Sequence, residues 1–279
     1  VVAVASLGRR GDRGRLLVGS GNYENTDEVM LNAEVLRTDS TEYSAALYPV
    51  AAEQFTIQQR NNTLPAYKAS TDETLTYRAS GSSRIFSNDN ITIQFASNGK
   101  VEKWQMKGVD VIKEQGGPDY ENYRWIENDA PYGNDPSYSA SNGMNTYNCK
   151  FSIASDKKTA TVTTTAKGRN CNYVFTYTIN ATGVVDLQAN YTANINNLRR
   201  IGMQMQMAGD LSNVKYYARG PWANYIDRCT GSFFGEYTST VWDMNEYYLR
   251  PQTMGNRQDL RYVEFTNPET RRRLLMLAV

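Results

Sequence analysis

The stretch ARGPWANYIDRCTG, from Ala218 to Gly231, crowds a Gly-Pro pair, a tryptophan, an Asn-Tyr pair and an Asp-Arg pair into fourteen residues. Such a set can bind a ligand face through Trp222, or it can hold a turn. Gly220 and Pro221 shape a bend, and Asp227 and Arg228 can bond locally or to each other. The expectation is a structural corner, with Trp222 packed in a loop or core; ligand contact through Trp222 is the alternative. A second cluster lies at Tyr123, Arg124 and Trp125, followed by Glu127, Asn128 and Asp129 in a polar stretch. Its two acids could act as a catalytic pair, although solvated loop acids are the ordinary reading.

The chain has 279 residues and no histidine. Ser-His-Asp and Cys-His nucleophile activation, histidine acid–base catalysis and His-ligated zinc are therefore excluded. Cys149, Cys171 and Cys229 lack the close spacing of a metal knuckle or a CxxC redox motif. Three buried free thiols are expected, with one disulfide as the alternative. Thirty Lys and Arg face 29 Asp and Glu, for a net charge of +1. No basic field is available to grip nucleic acid or anionic lipid, and no apolar run approaches the roughly 20 residues of a membrane span. Partners of both kinds are thus not expected.

The elements that must position these clusters read as strands. ITIQF places Ile91, Ile93 and Phe95 on one face. YVFTYTI does the same for Tyr173, Phe175, Tyr177 and Ile179, and VVDLQANY for Val185, Leu187, Ala189 and Tyr191. Ile201, Met203, Met205 and Met207 alternate with Gly and Gln, a stripe read as flexible core filler. Asn98-Gly99 and Thr182-Gly183 mark hairpin turns. No segment carries a convincing amphipathic helical period, and the strand–helix alternation of a (β/α)8 barrel is absent. The fold class is all-β, a sandwich. The polar segment between Gln58 and Asp72 reads as a linker, giving a small leading unit at 1–58, a linker at 59–72 and a large unit at 73–279.

Three motifs in order resemble the C-terminal part of large β-galactosidases of glycoside hydrolase family 2. Glu28, Val29, Asn32, Val50, Ala51, Glu53, Gln54 and Phe55 match the close of that family's Ig-like domain. Gly220, Pro221, Asn224, Tyr225, Asp227, Arg228 and Gly231 match its G-P-x-E-N-Y-x-D-R-x-x-G, with Ala223 in place of the glutamate. Pro251, Gln252, Gly255, Arg257 and Arg261 match P-Q-E-N-G-x-R-x-x-x-R, where Thr253 replaces another glutamate. More loosely, Asn122, Tyr123, Arg124 and Trp125 resemble the aromatic-basic cluster of G-P-x-x-N-F-W-R-A-P-x-D-N-D, with Asn128-Asp129 or Asn134-Asp135 as its N-D pair.

The resemblance implies a large antiparallel supersandwich, similar to galactose mutarotase, preceded by remnant strands of an Ig-like sandwich. It implies a chain beginning inside the small sandwich and ending before a late tryptophan-bearing stretch of the family. It also implies a non-catalytic role. Retaining hydrolysis needs two carboxylates about 5 Å apart, and the family keeps both on a barrel not legible here. Tyr123, Arg124, Trp125, Asn128 and Asp129 become the substrate-contact candidates, residues 130–143 a loop near the sugar, and Gly220, Pro221, Asn224, Tyr225, Asp227, Arg228 and Arg257 a structural motif. No cofactor is implied in this chain, Mg2+ or Na+ being expected only on the barrel of a parent enzyme. The implied partners are a galactoside, the rest of the parent enzyme and a homo-oligomeric copy, with a bacterial periplasmic or secreted location favoured over a cytoplasmic one. The alternatives are a stand-alone carbohydrate-binding sandwich, which exposed aromatic residues would support, and a sugar epimerase, which the absence of histidine disfavours.

Overall fold

The computed structural model describes residues 28–60, 72–122, 146–196, 198, 200–250, 252–270 and 272–278. Among them there is no helix, and every strand pairing is antiparallel. The all-β, sandwich-like expectation holds.

One layer contains β3 (Thr76–Ser80), β4 (Ser83–Ser87), β5 (Ile91–Phe95), β6 (Val101–Met106) and β7 (Val109–Asp110), in that order. The facing layer contains β9 (Thr146–Ile153), β10 (Thr159–Lys167), β11 (Cys171–Asn180) and β12 (Val185–Ala193). Alternation explains why they meet. Ile91, Ile93 and Phe95 of β5 and Tyr173, Phe175, Tyr177 and Ile179 of β11 are all buried in one cluster. The side chains between them, such as Thr92, Thr176 and Thr178, lie nearer the surface. Phe95 stands edge-on to Phe86, Phe151 and Tyr177 at 5.2–6.3 Å between ring centres.

The turn at Asn98-Gly99 joins β5 to β6. Gly99 has φ +85, and a Cβ there would sit 2.0 Å from Thr164 Oγ1, so only glycine fits both the turn and the facing sheet. The turn at Thr182-Gly183 likewise joins β11 to β12, closed by Gly183 N donating to Asn180 O at 2.9 Å.

A third sheet, in the order β15 (Phe233–Thr240), β14 (Asn213–Gly220), β16 (Tyr262–Asn267) and β17 (Arg272–Leu277), carries its own cluster around Val214, Tyr216 and Ala218. Two short strands, β8 (Asp119–Glu121) and β13 (Gly202–Gln204), pair at the side. At the front, β1 (Val29–Leu36) and β2 (Pro49–Gln58) form a hairpin.

That hairpin is fastened to the third sheet by residues of the first and third motifs. Arg261 donates to both oxygens of Glu28, at 3.2 and 2.7 Å, across 233 residues of sequence. Gln54 donates its amide to Asn32 Oδ1 and to Phe234 O, and accepts from Phe234 N, at 2.7–2.9 Å. Motif residues distant in sequence thus form one joint.

Two expectations need correction. Only Cys171 is buried; Cys149 and Cys229 are half-exposed, and all three are free thiols. The methionine stripe is not a continuous core stripe either. Its strand is three residues long, Ile201 and Met203 are exposed, and only Met205 packs against the main cluster. The strand pairing stops early: β13 pairs with β8 over three residues, so the alternation of the sequence outruns the strand.

The packed tyrosines give the fold an alkaline limit. Burial is the first cause of a raised hydroxyl pKa at Tyr191, Tyr217 and Tyr262, each pushed up to about 12. Burial pushes Tyr120, Tyr173 and Tyr177 further in the same direction. An unfolded tyrosine ionises near pH 10. Their stabilising contribution is therefore intact below about pH 10 and falls as pH rises toward the folded values. Circular dichroism is expected to hold to about pH 10 and collapse between about 10 and 12, with tyrosinate absorbance at 295 nm rising in the same transition. Ionisation of these six groups near pH 10 with the sheets intact contradicts this.

Candidate functional site

The stretch that first drew attention leaves β14 at Gly220. A Cβ there would lie 2.7 Å from the Tyr237 ring, so the strand end and that aromatic can touch only through glycine. The Gly220–Pro221 bond is cis. Arg257 Nε donates to the Tyr216 hydroxyl at 3.1 Å, which in turn donates to Pro221 O at 3.0 Å. Arg257 therefore supports the bend from beneath.

Asn224 is the centre of the corner and is fully buried. Its Nδ2 donates to Arg219 O and Trp222 O, both at 2.9 Å, and its Oδ1 accepts from Gln258 N at 2.8 Å. Its backbone N donates to Asn256 O at 2.9 Å, and its backbone O accepts from Asn256 Nδ2 at 2.7 Å. Tyr225 donates its hydroxyl to Thr253 O at 2.8 Å. Arg228 reaches across to the neighbouring loop. Its guanidinium lies 4.7 Å from the Tyr225 ring centre and 5.6 Å from that of Tyr248, and it donates to the Tyr248 hydroxyl. That bond is the first cause of its raised pKa. Asn224, Tyr225 and Arg228 thus tie the loop that follows β14 to the loop that follows β15.

Trp222 overturns its own expectation. It is neither core nor loop packing, but 72% exposed at the tip of the corner. Trp242, at 74%, is equally open. The bend points the Trp222 side chain away from the sheet because the interior of the corner is filled by Asn224 and Tyr216.

In sequence, β8 leads to the second cluster. Tyr120 stacks on Tyr173 at 5.8 Å between ring centres, and Tyr191 closes in at 6.1 Å. Glu121 is nearly buried, with Arg200 at 3.7 Å, and Asn122 is fully buried. The candidates Tyr123, Arg124, Trp125, Asn128 and Asp129 follow directly in sequence and lie outside the described residues, as do 130–143. Among the described residues no group of three or more His, Cys, Asp or Glu is arranged to hold a metal ion.

Residues 87–278, well over half of the chain, match the family described as β-galactosidase small chain. The chain belongs to that family. As a β-galactosidase small-chain protein it is also similar to full-length β-galactosidases, over shorter spans. It is 38% identical over 71 residues to that of Priestia megaterium, covering 25% of this chain and 7% of the relative. It is 35% identical over 72 residues to that of Lactococcus lactis, covering 26% and 7%. With that of Streptococcus thermophilus it shares 31% over 93 residues, covering 33% and 9%. The matched part of the chain thus spans less than a tenth of the length of these relatives.

The small-chain match begins at the last residue of β4 and takes in both the corner and Asn122. Sequence reasoning found the corner motif but missed its partners Asn256, Gln258 and Tyr248. The one available signal was the density of Asn, Gln and Arg in both loops, which a folded chain has to satisfy internally.

Proposed function

We propose that this chain is the non-catalytic portion of a family 2 β-galactosidase, whose parent enzyme hydrolyses terminal β-galactosides. In this reading the supersandwich braces a catalytic barrel carried elsewhere, where two carboxylates do the chemistry. Tyr123, Arg124, Trp125, Asn128 and Asp129 reach the galactoside, and any Mg2+ or Na+ belongs to the barrel. The observation that carries the reading is the small-chain match over residues 87–278. The corner supports it, since buried Asn224 spends its side chain on bonds that hold the loop.

The test is an assay of the purified chain on a chromogenic β-galactoside, alone and mixed with the catalytic portion encoded with it. No turnover alone and strong stimulation of the catalytic portion are expected. Turnover by the chain alone, or no catalytic portion encoded with it, overturns the reading.

Exposed Trp222 and Trp242 favour one second reading, a carbohydrate-binding sandwich. Calorimetric titration of the isolated chain with β-galactosides or β-glycans separates the two. Binding that Trp222→Ala abolishes supports the second.

A further inference from the structure

The turn between β5 and β6 is gripped from two sides. On one side Gly99 lies against β10, where Thr164 Oγ1 donates to Gly99 O at 3.3 Å. Thr164 pairs with Cys149 and Ala166 with Tyr147, so this contact sets the turn beside the start of β9. On the other side the chain leading into β8 passes so close to β6 that a Cβ on Gly117 would sit 2.3 Å from Val101 Cβ. No side chain fits there. Lys100 stands between the two glycine contacts. Asn98 Oδ1 accepts its backbone N–H at 3.1 Å, and its carbonyl accepts from Ala96 N at 2.8 Å. The backbone that carries Lys100 is therefore fixed on its own account.

Its side chain reaches both neighbours. Nζ donates to Asp119 Oδ2 at 2.9 Å, on β8. It also lies 5.7 Å from the centre of the Tyr147 ring, on β9. β8 and β9 belong to different sheets. Tyr120 ties β8 to Tyr173 of β11 and Tyr191 of β12, which β10 separates from β9. Lys100 adds a tie from β8 to β9 itself. The residues between these two strands in sequence include Tyr123, Arg124, Trp125, Asn128 and Asp129.

We infer that Lys100 is a positioning residue for the galactoside site: it sets the spacing of β8 and β9, and with it the placement of the contact residues that lie between them in sequence. The inference rests on the reading proposed above, in which those residues reach the sugar. A lysine suits the task, because its ammonium serves a carboxylate and a ring face together at the end of a long stem. The Lys100 and Asp119 side chains are 45% and 36% exposed, so the pair adds little to overall stability. Its loss should show at the site rather than in the melting temperature.

The experiment compares the wild type with Lys100→Met and Lys100→Arg. In the full chain alone, hydrogen exchange of the β8 amides and of the Tyr147 end of β9 is expected to quicken about fivefold in Lys100→Met, with an unchanged melting temperature. Lys100→Arg keeps the ion pair and the ring contact and is expected to restore wild-type exchange. With the catalytic portion encoded with the chain, Lys100→Met is expected to raise KM for a chromogenic β-galactoside about fivefold at little changed kcat, because fewer molecules hold the binding-competent arrangement. Lys100→Arg returns KM to the wild-type value. Asp119→Asn, which spares the tyrosine contact, gives a smaller rise of the same kind. A merely structural role would lower kcat through fewer assembled sites and leave KM alone, and that result overturns the assignment. So does faster exchange with KM unchanged, or no change in either. In each of those cases the wild type still stimulates the catalytic portion, and the proposed function stands. If the wild type gives no stimulation, the proposed function falls and this inference falls with it.

Discussion

Asn224→Ala is expected to destabilise the chain by about 3–5 kcal/mol, although it removes only three side-chain hydrogen bonds. The reason is what remains behind. Gln258 N–H loses its acceptor, and the carbonyls of Arg219 and Trp222 lose their donor, around a residue with no exposure to water. Each stranded buried group costs about 1–3 kcal/mol, more than the bond itself contributes. Asn224→Asp tests the donor side alone. It keeps an acceptor for Gln258 but turns a carboxylate oxygen toward two carbonyl oxygens, so it should be at least as harmful near neutral pH. Urea unfolding measures both. Loss below 1 kcal/mol for Asn224→Ala would show that water replaces the side chain and that the corner is not built on it.

The layers of the fold were legible in the sequence where one face of a strand is covered along its whole length. β5 and β11 are such strands, and their alternation maps directly onto burial. The turns were legible where glycine must take a positive φ, at Gly99 and Gly183. Legibility failed where alternation outran the strand. Ile201 and Met203 have the pattern of a buried face, but both are exposed. It failed again at Trp222, because the type of a side chain says how much area it can bury and not whether a partner is present. The corner motif was visible as composition, but its partners were not. Bonds such as that from Asn256 to Asn224 join loops whose proximity depends on how β14 and β16 pair. The same holds for the joint at the front of the chain, where resemblance marked Glu28, Gln54 and Arg261 without indicating that they fasten the β1–β2 hairpin to the third sheet.

That joint carries the second large effect. Arg261→Met should cost about 3–5 kcal/mol, because it leaves the Glu28 carboxylate buried without its cation. The Glu28 side chain is only 7% exposed and receives both Nε and Nη2 of Arg261, a fork that lysine cannot reproduce. Arg261 is itself 25% exposed, which places the expected loss toward the lower end of that range. Its pKa is raised first by the bond to Glu28, the same coupling seen from the other partner. A double variant, Glu28→Leu/Arg261→Met, removes both charges and should recover at least about 1 kcal/mol of the loss, since the penalty lies in the unpaired ion and not in the absent pair. A strictly additive cycle would contradict this. Hydrogen exchange locates the damage. In Arg261→Met the amides of β1 and β2 should exchange faster while those of β10 and β11 stay protected, because the hairpin is held by this pair and by Gln54, whereas the sandwich core has its own cluster. Arg261 also donates its backbone N to Tyr217 O at 2.8 Å, on the strand that ends at the corner. The ion pair therefore stands between the hairpin and the loops that present Trp222 and Trp242, and its loss should loosen both.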